Sequence, residues 1–268
     1  TAVSGSAKTL LGKVYLTLKD YDNAVKILKE VIDSQQYTFI QDYTELFDVD
    51  NKNNSESIFE IQYTEAVTDL GSAFANLFAP IGSSEVTGGI GATEGNNEPT
   101  QNFYESYNID DLRRDVSIGQ LADGRIYCKK FVKKPVLPNQ SNANFVVLRY
   151  TDVLLMYAEA LNEISYSSSG DAIKYLNEVR QRAGLQLYTS EQITGQDEFR
   201  NLIWNERRYE FAFENQRWFD LLRSGKAVEV MNKSSNGDFA IEPYQLLFPI
   251  PQNQIDIAPD VMKQNDNY

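Results

Sequence analysis

Ala7, Leu10, Leu11, Val14, Tyr15 and Leu18 recur at spacings of three and four. That spacing predicts an apolar stripe on one helix. Lys19-Asp20 interrupts the pattern, and Tyr21, Ala24, Val25, Leu28, Val31 and Ile32 resume it. Two such helices joined by a short turn form a hairpin in which each stripe is expected to bury against the other. A second hairpin follows much later. Val153, Leu154, Tyr157, Ala158 and Leu161 mark one helix, Ser167-Ser168-Ser169-Gly170 the turn, and Ala172, Ile173, Leu176, Val179 and Ala183 the other. Gly184 stands where a helix C′ residue is expected.

The two hairpins resemble one another. Asn23-Ala24-Val25-Lys26-Ile27-Leu28-Lys29-Glu30-Val31 aligns with Asp171-Ala172-Ile173-Lys174-Tyr175-Leu176-Asn177-Glu178-Val179. The shared spacing resembles the second helix of a tetratricopeptide repeat. The separation of the copies excludes a continuous solenoid, so residues 37–144 read as an insert between helical units 1–36 and 145–268. Ser57-Ile58-Phe59-Glu60-Ile61-Gln62-Tyr63 alternates like a strand. Glycines punctuate 71–95. Asp123-Gly124 predicts a hairpin turn whose return strand is Arg125-Ile126-Tyr127-Cys128-Lys129. A long irregular segment in a compact chain is usually functional.

The third helical block, about 197–230, contains WNERRYEFAFENQRWFDLLR at 204–223. Its aromatic residues point in nearly every direction on a helix, which predicts a buried one. Glu206, Glu210 and Glu214 then need cations. Local spacing offers Arg207 to Glu210, Arg217 to Glu214, and Arg217 or Arg223 to Asp220. The segment therefore reads as a central helix with an internal ion network. After it, Asn232 to Asp238 reads as a polar loop, and Leu247-Phe248-Pro249-Ile250-Pro251 as extended chain.

The formal net charge is −13, which argues against attraction to nucleic-acid phosphates. The run Lys129-Lys130-Phe131-Val132-Lys133-Lys134 reads as a solvated strand or loop. With no His in the chain, Ser–His and Cys–His nucleophile pairs and His-based metal sites are excluded. The single Cys128 cannot form an internal disulfide and is expected as a small apolar residue near a strand. No EF-hand spacing is present, so neither metal nor cofactor is expected.

Four ordered segments now carry a family resemblance: NFVVLRYTDVLLMYAEALNE at 144–163, LNEVRQRAGL at 176–185, ERRYEFAFE with RWFDL at 206–221, and LFPIPQNQID from 247, ending near Gln264-Asn265 and Tyr268. They resemble the RagB/SusD family of outer-membrane nutrient-binding lipoproteins. The first resembles that family's most recognisable helix. Asn215-Gln216 departs from the Gly-His more usual there. The resemblance implies a mostly α fold: a SusD-like superhelix of tetratricopeptide-like hairpins, with a loop-rich insert containing short β-strands. It implies a single domain over 1–268 that lacks the family's further N-terminal helices, signal peptide and lipid-bearing Cys. It also implies glycan binding without catalysis at the outer-membrane surface, delivery to a TonB-dependent SusC-like transporter, no nucleic-acid partner, and membrane contact only through a lipid anchor absent from this chain.

Ligand contacts in that family come largely from insertions, here 63–107. Phe74, Phe78, Tyr104 and Tyr107 are the candidate sugar-stacking rings, and Asn96, Asn97, Glu98 and Gln101 the candidate partners of sugar hydroxyls. Two other classes compete. A glycoside hydrolase would need two carboxylates about 5–9.5 Å apart, for which Asp110-Asp111 or Glu94 with Glu98 are proposable. A helical-repeat adaptor would bind protein segments through the hairpins.

Overall fold

The computed structural model describes residues 3–235 and 238–268. The chain divides into two compact units, 1–214 and 215–268. In the first, helices α1 (Ser4–Thr17) and α2 (Tyr21–Asp33) form the expected hairpin. The turn works because Lys19 accepts a left-handed φ of 61° and the Asp20 side chain accepts a bond from the Asn23 amide, capping α2. The α2 stripe is buried at Ala24, Leu28 and Val31. The α1 stripe is not. Leu10, Leu11, Val14 and Leu18 are exposed, and the buried side carries Gly5, Ser6, Thr9, Gly12 and Leu16, of which Gly12 meets α2 while Gly5 faces Tyr37 and Ser6 bonds the Ile58 carbonyl. Gly12 sets this orientation: a Cβ there would lie 2.5 Å from Leu28 Cδ2, so the helices approach too closely for a leucine.

Between the hairpins run β1 (Ser57–Ile61), the short helices α3 (Phe74–Phe78), α4 (Gln101–Ser106) and α5 (Arg114–Ser117), strands β2 (Ile118–Gln120) and β3 (Ile126–Cys128), and β4 (Phe145–Arg149). β2 and β3 pair antiparallel around the Asp123-Gly124 turn, as its sequence predicts. Cys128 is fully buried at the end of β3, and burial pushes its thiol up to about 12.

The helix expected from residue 144 starts later. Residues 145–149 are β4, paired antiparallel with β1 in the register Ile61↔Phe145, Glu60↔Val146, Phe59↔Leu148 and Ser57↔Arg149. A short apolar run does not distinguish strand from helix; here the alternation in β1 supplies the partner. Helix α6 (Tyr150–Ile164) follows directly. It is buried from Thr151 to Ala160 and is the central helix of the unit. Val153, Met156, Tyr157 and Ala160 join the first hairpin's core, while Leu155 and Ala158 join that of α7 (Asp171–Arg182) and α8 (Gln196–Glu210).

The third helical block is not one helix. α8 stops at Glu210, and Phe213 and Asn215 take left-handed φ values of 66° and 59°. The second unit contains α9 (Arg217–Arg223), α10 (Ala227–Ser234) and α11 (Gln252–Ile257). Phe219 on α9 is exposed, contrary to a helix buried on all sides. Residues 232–234, expected in a loop, end α10; Asn236 and Gly237 lie outside the described residues. The tail is extended at 247–251 and folds back, with Gln264 bonding both the amide and the carbonyl of Ile250 at 2.8 and 2.9 Å.

Candidate functional site

Residues 206–214 of the mixed aromatic and charged segment join a buried ion network in the first unit. Glu210 accepts from Arg149 and Arg182, both at 2.6 Å, and from Arg113 at 3.1 Å. Arg113 also reaches Glu206 at 2.5 Å and Asp111 at 2.8 Å, and Glu206 takes a further bond from Arg180 at 3.0 Å. Glu214 is held by Lys130 at 2.8 Å and Arg149 at 2.9 Å, while Glu56 is held by Arg149, Arg182 and the Thr151 hydroxyl.

The carboxylates of the segment do meet cations inside the protein, Glu206, Glu210 and Glu214 from distant segments and Asp220 from its neighbour Arg223. Arg207, offered to Glu210 by local spacing, bonds Asp152 of α6 at 2.7 Å. In the second unit Asp220 pairs with Arg223 at 2.8 Å. Lys130, expected in solvent, is 2% exposed. Its burial lowers its pKa, which Glu214 offsets only in part.

Rings complete the network. Arg149 lies 4.4 Å over Phe211, Lys130 4.7 Å over Phe47, and Arg182 4.0 Å over Phe39. Burial alone would raise the carboxyls of Glu210 and Asp152. Arg182, Arg149 and Arg113 around Glu210, and Lys13 and Arg207 around Asp152, instead hold both well below the usual range. Glu56, Glu206, Glu210 and Glu214 are buried and each is bonded to at least one cation, so none of them stands as an open acid or base. Asp111, one of the hydrolase candidates, gives both oxygens to Arg113.

The glycine-punctuated insert is where side chains stay open. Asn96, Asn97, Glu98 and Gln101 are all exposed. Asn96 donates to Glu94 at 3.0 Å and Gln101 to Glu105 at 2.8 Å, so both amides are already oriented. Backbone bonds from Asn96 to Leu77 at 2.7 Å and from Gly95 to Ala79 at 2.9 Å lay this loop against the end of α3. The two bonds flank Phe78, whose ring is half-buried, and so bring the loop's polar groups to the segment that carries it. Tyr104 is also half-buried, with the Arg114 guanidinium 5.3 Å from its ring centroid.

Two of the four candidate rings are placed differently. Tyr107 is 5% exposed, packs 4.7 Å from Tyr209 and 5.2 Å from Phe103, and spends its hydroxyl on the Tyr209 carbonyl. It has no face left for a sugar. Phe74 sits among Tyr63, Phe78, Phe131 and Phe145, with centroids 5.5–5.9 Å away, as the centre of an aromatic cluster. Its role is to seat Phe78. Sequence spacing could not find Phe131 and Phe145 as its partners, because they arrive from distant strand and loop segments. What remain open are two half-buried rings, Phe78 and Tyr104, and exposed amides and a carboxylate on the loop whose backbone is bonded on either side of Phe78. Such a set suits a ligand with an apolar face and a rim of hydroxyls.

Residues 113–268 match the profile of the SusD family. The SusD-like protein P2 of Formosa agariphila is 29% identical over 305 aligned residues, which cover 98% of this chain and 59% of that protein. A SusD superfamily protein from Parabacteroides distasonis is similar with a TM-score of 0.85 at 29% identity, over 98% of this chain and 63% of its own. Surface glycan-binding protein A from Bacteroides thetaiotaomicron, solved in complex with laminarihexaose, is similar with a TM-score of 0.82 at 27% identity, over 97% of this chain and 63% of its own. The chain thus spans about three-fifths of the length of these relatives.

Proposed function

The chain belongs to the SusD family, and from that premise we propose that it holds oligosaccharides by contact at the cell surface, without chemistry. The ligand is then passed to a TonB-dependent transporter of the SusC kind. The observation that supports this most is the likeness to a surface glycan-binding protein whose structure holds laminarihexaose. The open group on the insert fits the same ligand class. Phe78 and Tyr104 supply ring faces, and Asn96, Asn97, Glu98 and Gln101 supply donors and acceptors at the surface. Tyr107 and Phe74 act behind them, as packing. A sugar ring stacked on an aromatic face buries C–H surface, while its hydroxyls exchange water for amide and carboxylate partners.

A panel of neutral oligosaccharides, with laminarihexaose first, tests the reading by titration calorimetry. Binding is expected for at least one member. Phe78→Ala and Asn96→Ala should each weaken it about tenfold; Asn96→Ala, at an exposed position, should leave the unfolding midpoint within a few degrees, while Phe78→Ala also gives up the stacking on Phe74 and lowers it. No heat with any member, together with no thermal shift, would sink the proposal. Release of reducing sugar abolished by a single carboxylate substitution would replace it with a hydrolase.

A further inference from the structure

Behind the candidate site lies one side chain whose bonding is out of proportion to its size. Asn76, in the middle of α3, is 1% exposed. Its amide nitrogen donates to the carbonyl of Ile90 at 2.8 Å and to that of Ala92 at 2.9 Å, and its amide oxygen accepts from the backbone N–H of Asn139 at 3.0 Å. Its own backbone carbonyl accepts from Glu94 at 3.0 Å. One buried residue therefore ties three segments together: α3, the glycine-rich loop 88–95, and the turn at 137–140.

The surroundings are built to the same end. Ser72 and Ser141 exchange backbone bonds of 2.8 and 3.0 Å, with their hydroxyls 2.8 Å apart, so the turn is fixed to the start of the α3 segment as well. Gly91 has φ +75°, and a Cβ there would lie 2.7 Å from the Asn76 amide nitrogen and 2.9 Å from Pro138. The loop backbone comes as close as it does only because no side chain intervenes. Thr93 adds a bond to the Pro80 carbonyl at 3.0 Å and takes one from the Gly82 amide at 2.9 Å. All of this converges just ahead of Gly95 and Asn96, which bond to the backbone around Phe78.

We propose that Asn76 is the positioning residue of the glycan site. It holds loop 88–96 in the arrangement that bonds Gly95 and Asn96 to the backbone on either side of Phe78, and so presents the exposed Asn96, Asn97 and Glu98 next to that segment. The inference rests on the glycan reading above. The chemistry is specific to an amide. Two carbonyls and one N–H converge on the side chain, so the group must donate twice and accept once, which Asn does and Asp does not. A preorganised loop binds more tightly because ordering has been completed before the ligand arrives.

The test uses Asn76→Asp and Gly91→Ala, read by two methods. The first substitution keeps the acceptor for Asn139 but sets a carboxylate oxygen against the Ile90 and Ala92 carbonyls. Gly91→Ala leaves the amide in place and pushes the loop off it. Calorimetry with laminarihexaose, or with whichever panel oligosaccharide the wild type binds, should give a Kd raised about tenfold or more in both variants, at unchanged stoichiometry. A purely structural defect would do the reverse, lowering the competent fraction and leaving the Kd of the remainder alone. Amide hydrogen exchange should quicken at 88–96 and stay unchanged in α6. Wild-type affinity in both variants, or a loss confined to stoichiometry, overturns the role of Asn76 and leaves the glycan reading standing. Absence of binding in the wild type defeats the glycan reading itself, and this inference with it.

Discussion

Arg149 ends β4 and precedes α6, and through its guanidinium meets Glu56, Glu210 and Glu214 at 3.2, 2.6 and 2.9 Å. Replacing it by Leu would leave three buried carboxylates short of a cation. Loss of one partner from such a group costs about 3–5 kcal/mol, so Arg149→Leu is expected to lower stability by that much in urea unfolding. A cost below about 1 kcal/mol would mean that water enters the network. The same residues set an acid limit. Asp152 and Glu210 bind protons less readily folded than unfolded. The stability they contribute is therefore complete above their unfolded values near 4. It is lost progressively as pH falls from about 5 towards their folded values. The urea midpoint should be flat from about pH 8 to 6 and fall steeply below about 5. An unchanged midpoint at about pH 3.5 would show that these carboxyls are not held ionised by their partners. Asp152→Asn should flatten part of that acid slope, since it removes one of the two titrating groups.

Helix α1 displays what periodicity can and cannot say. The spacing of its apolar residues places the helix correctly, yet the buried line is Gly5, Thr9, Gly12 and Leu16, while Leu10, Leu11, Val14 and Leu18 face outward. Small residues decide the docking side because Leu28 reaches the α1 backbone. Gly12→Ala would bring a Cβ within 2.5 Å of Leu28 Cδ2 and 3.3 Å of Ile27 Cγ2. Overpacking of this kind costs about 1–3 kcal/mol, despite the better helix propensity of Ala. Leu11→Gln, on the outward face, should stay within about 0.5 kcal/mol. Thermal unfolding of both variants checks the pair, and the opposite order would refute this packing.

Other elements sort by the same logic. The hairpin of α6 and α7 and the β2–β3 turn were legible, because their signals are local. The break between α8 and α9 was not, because Phe213 adopts a left-handed φ that its residue type disfavours. Nor was the pairing of β4 with β1, which needs a partner some ninety residues away, as Ser57↔Arg149 shows. The candidate site was half legible. Asn96, Asn97, Glu98 and Gln101 lie at the surface as loop chemistry suggests, but which rings lie behind them depends on Phe131 and Phe145, brought from far along the chain.

For the molecule as a whole, the charge balance makes a prediction that no single contact makes. The formal net charge is −13, and in the first unit the cations Arg113, Lys130, Arg149 and Arg182 are buried against carboxylates. They project little positive field outward. Around the candidate site the exposed charges include Glu94, Glu98 and Glu105, against the exposed lysine Lys134, which lies beside Gly88 of the loop. Arg114 and Arg125, on the same insert, are each bonded to an aspartate, Asp115 and Asp123, at 2.8 Å. A polyanionic glycan therefore meets repulsion that is strongest at low ionic strength, where screening extends over about 30 Å at 0.01 M salt against about 8 Å at 0.15 M. A neutral glucan is indifferent to that field. Affinity for a neutral oligosaccharide should change less than about twofold between about 0.01 and 0.5 M salt. A polyuronate such as alginate should bind negligibly at the low end and gain, if anything, as salt rises. Affinity electrophoresis in gels cast with each polysaccharide at several salt concentrations would show it. Tight retention by the polyuronate at low salt, fading as salt increases, would mean that the exposed lysines of the insert, Lys129, Lys133 and Lys134, outweigh these carboxylates, and would move the ligand class from neutral to acidic sugars.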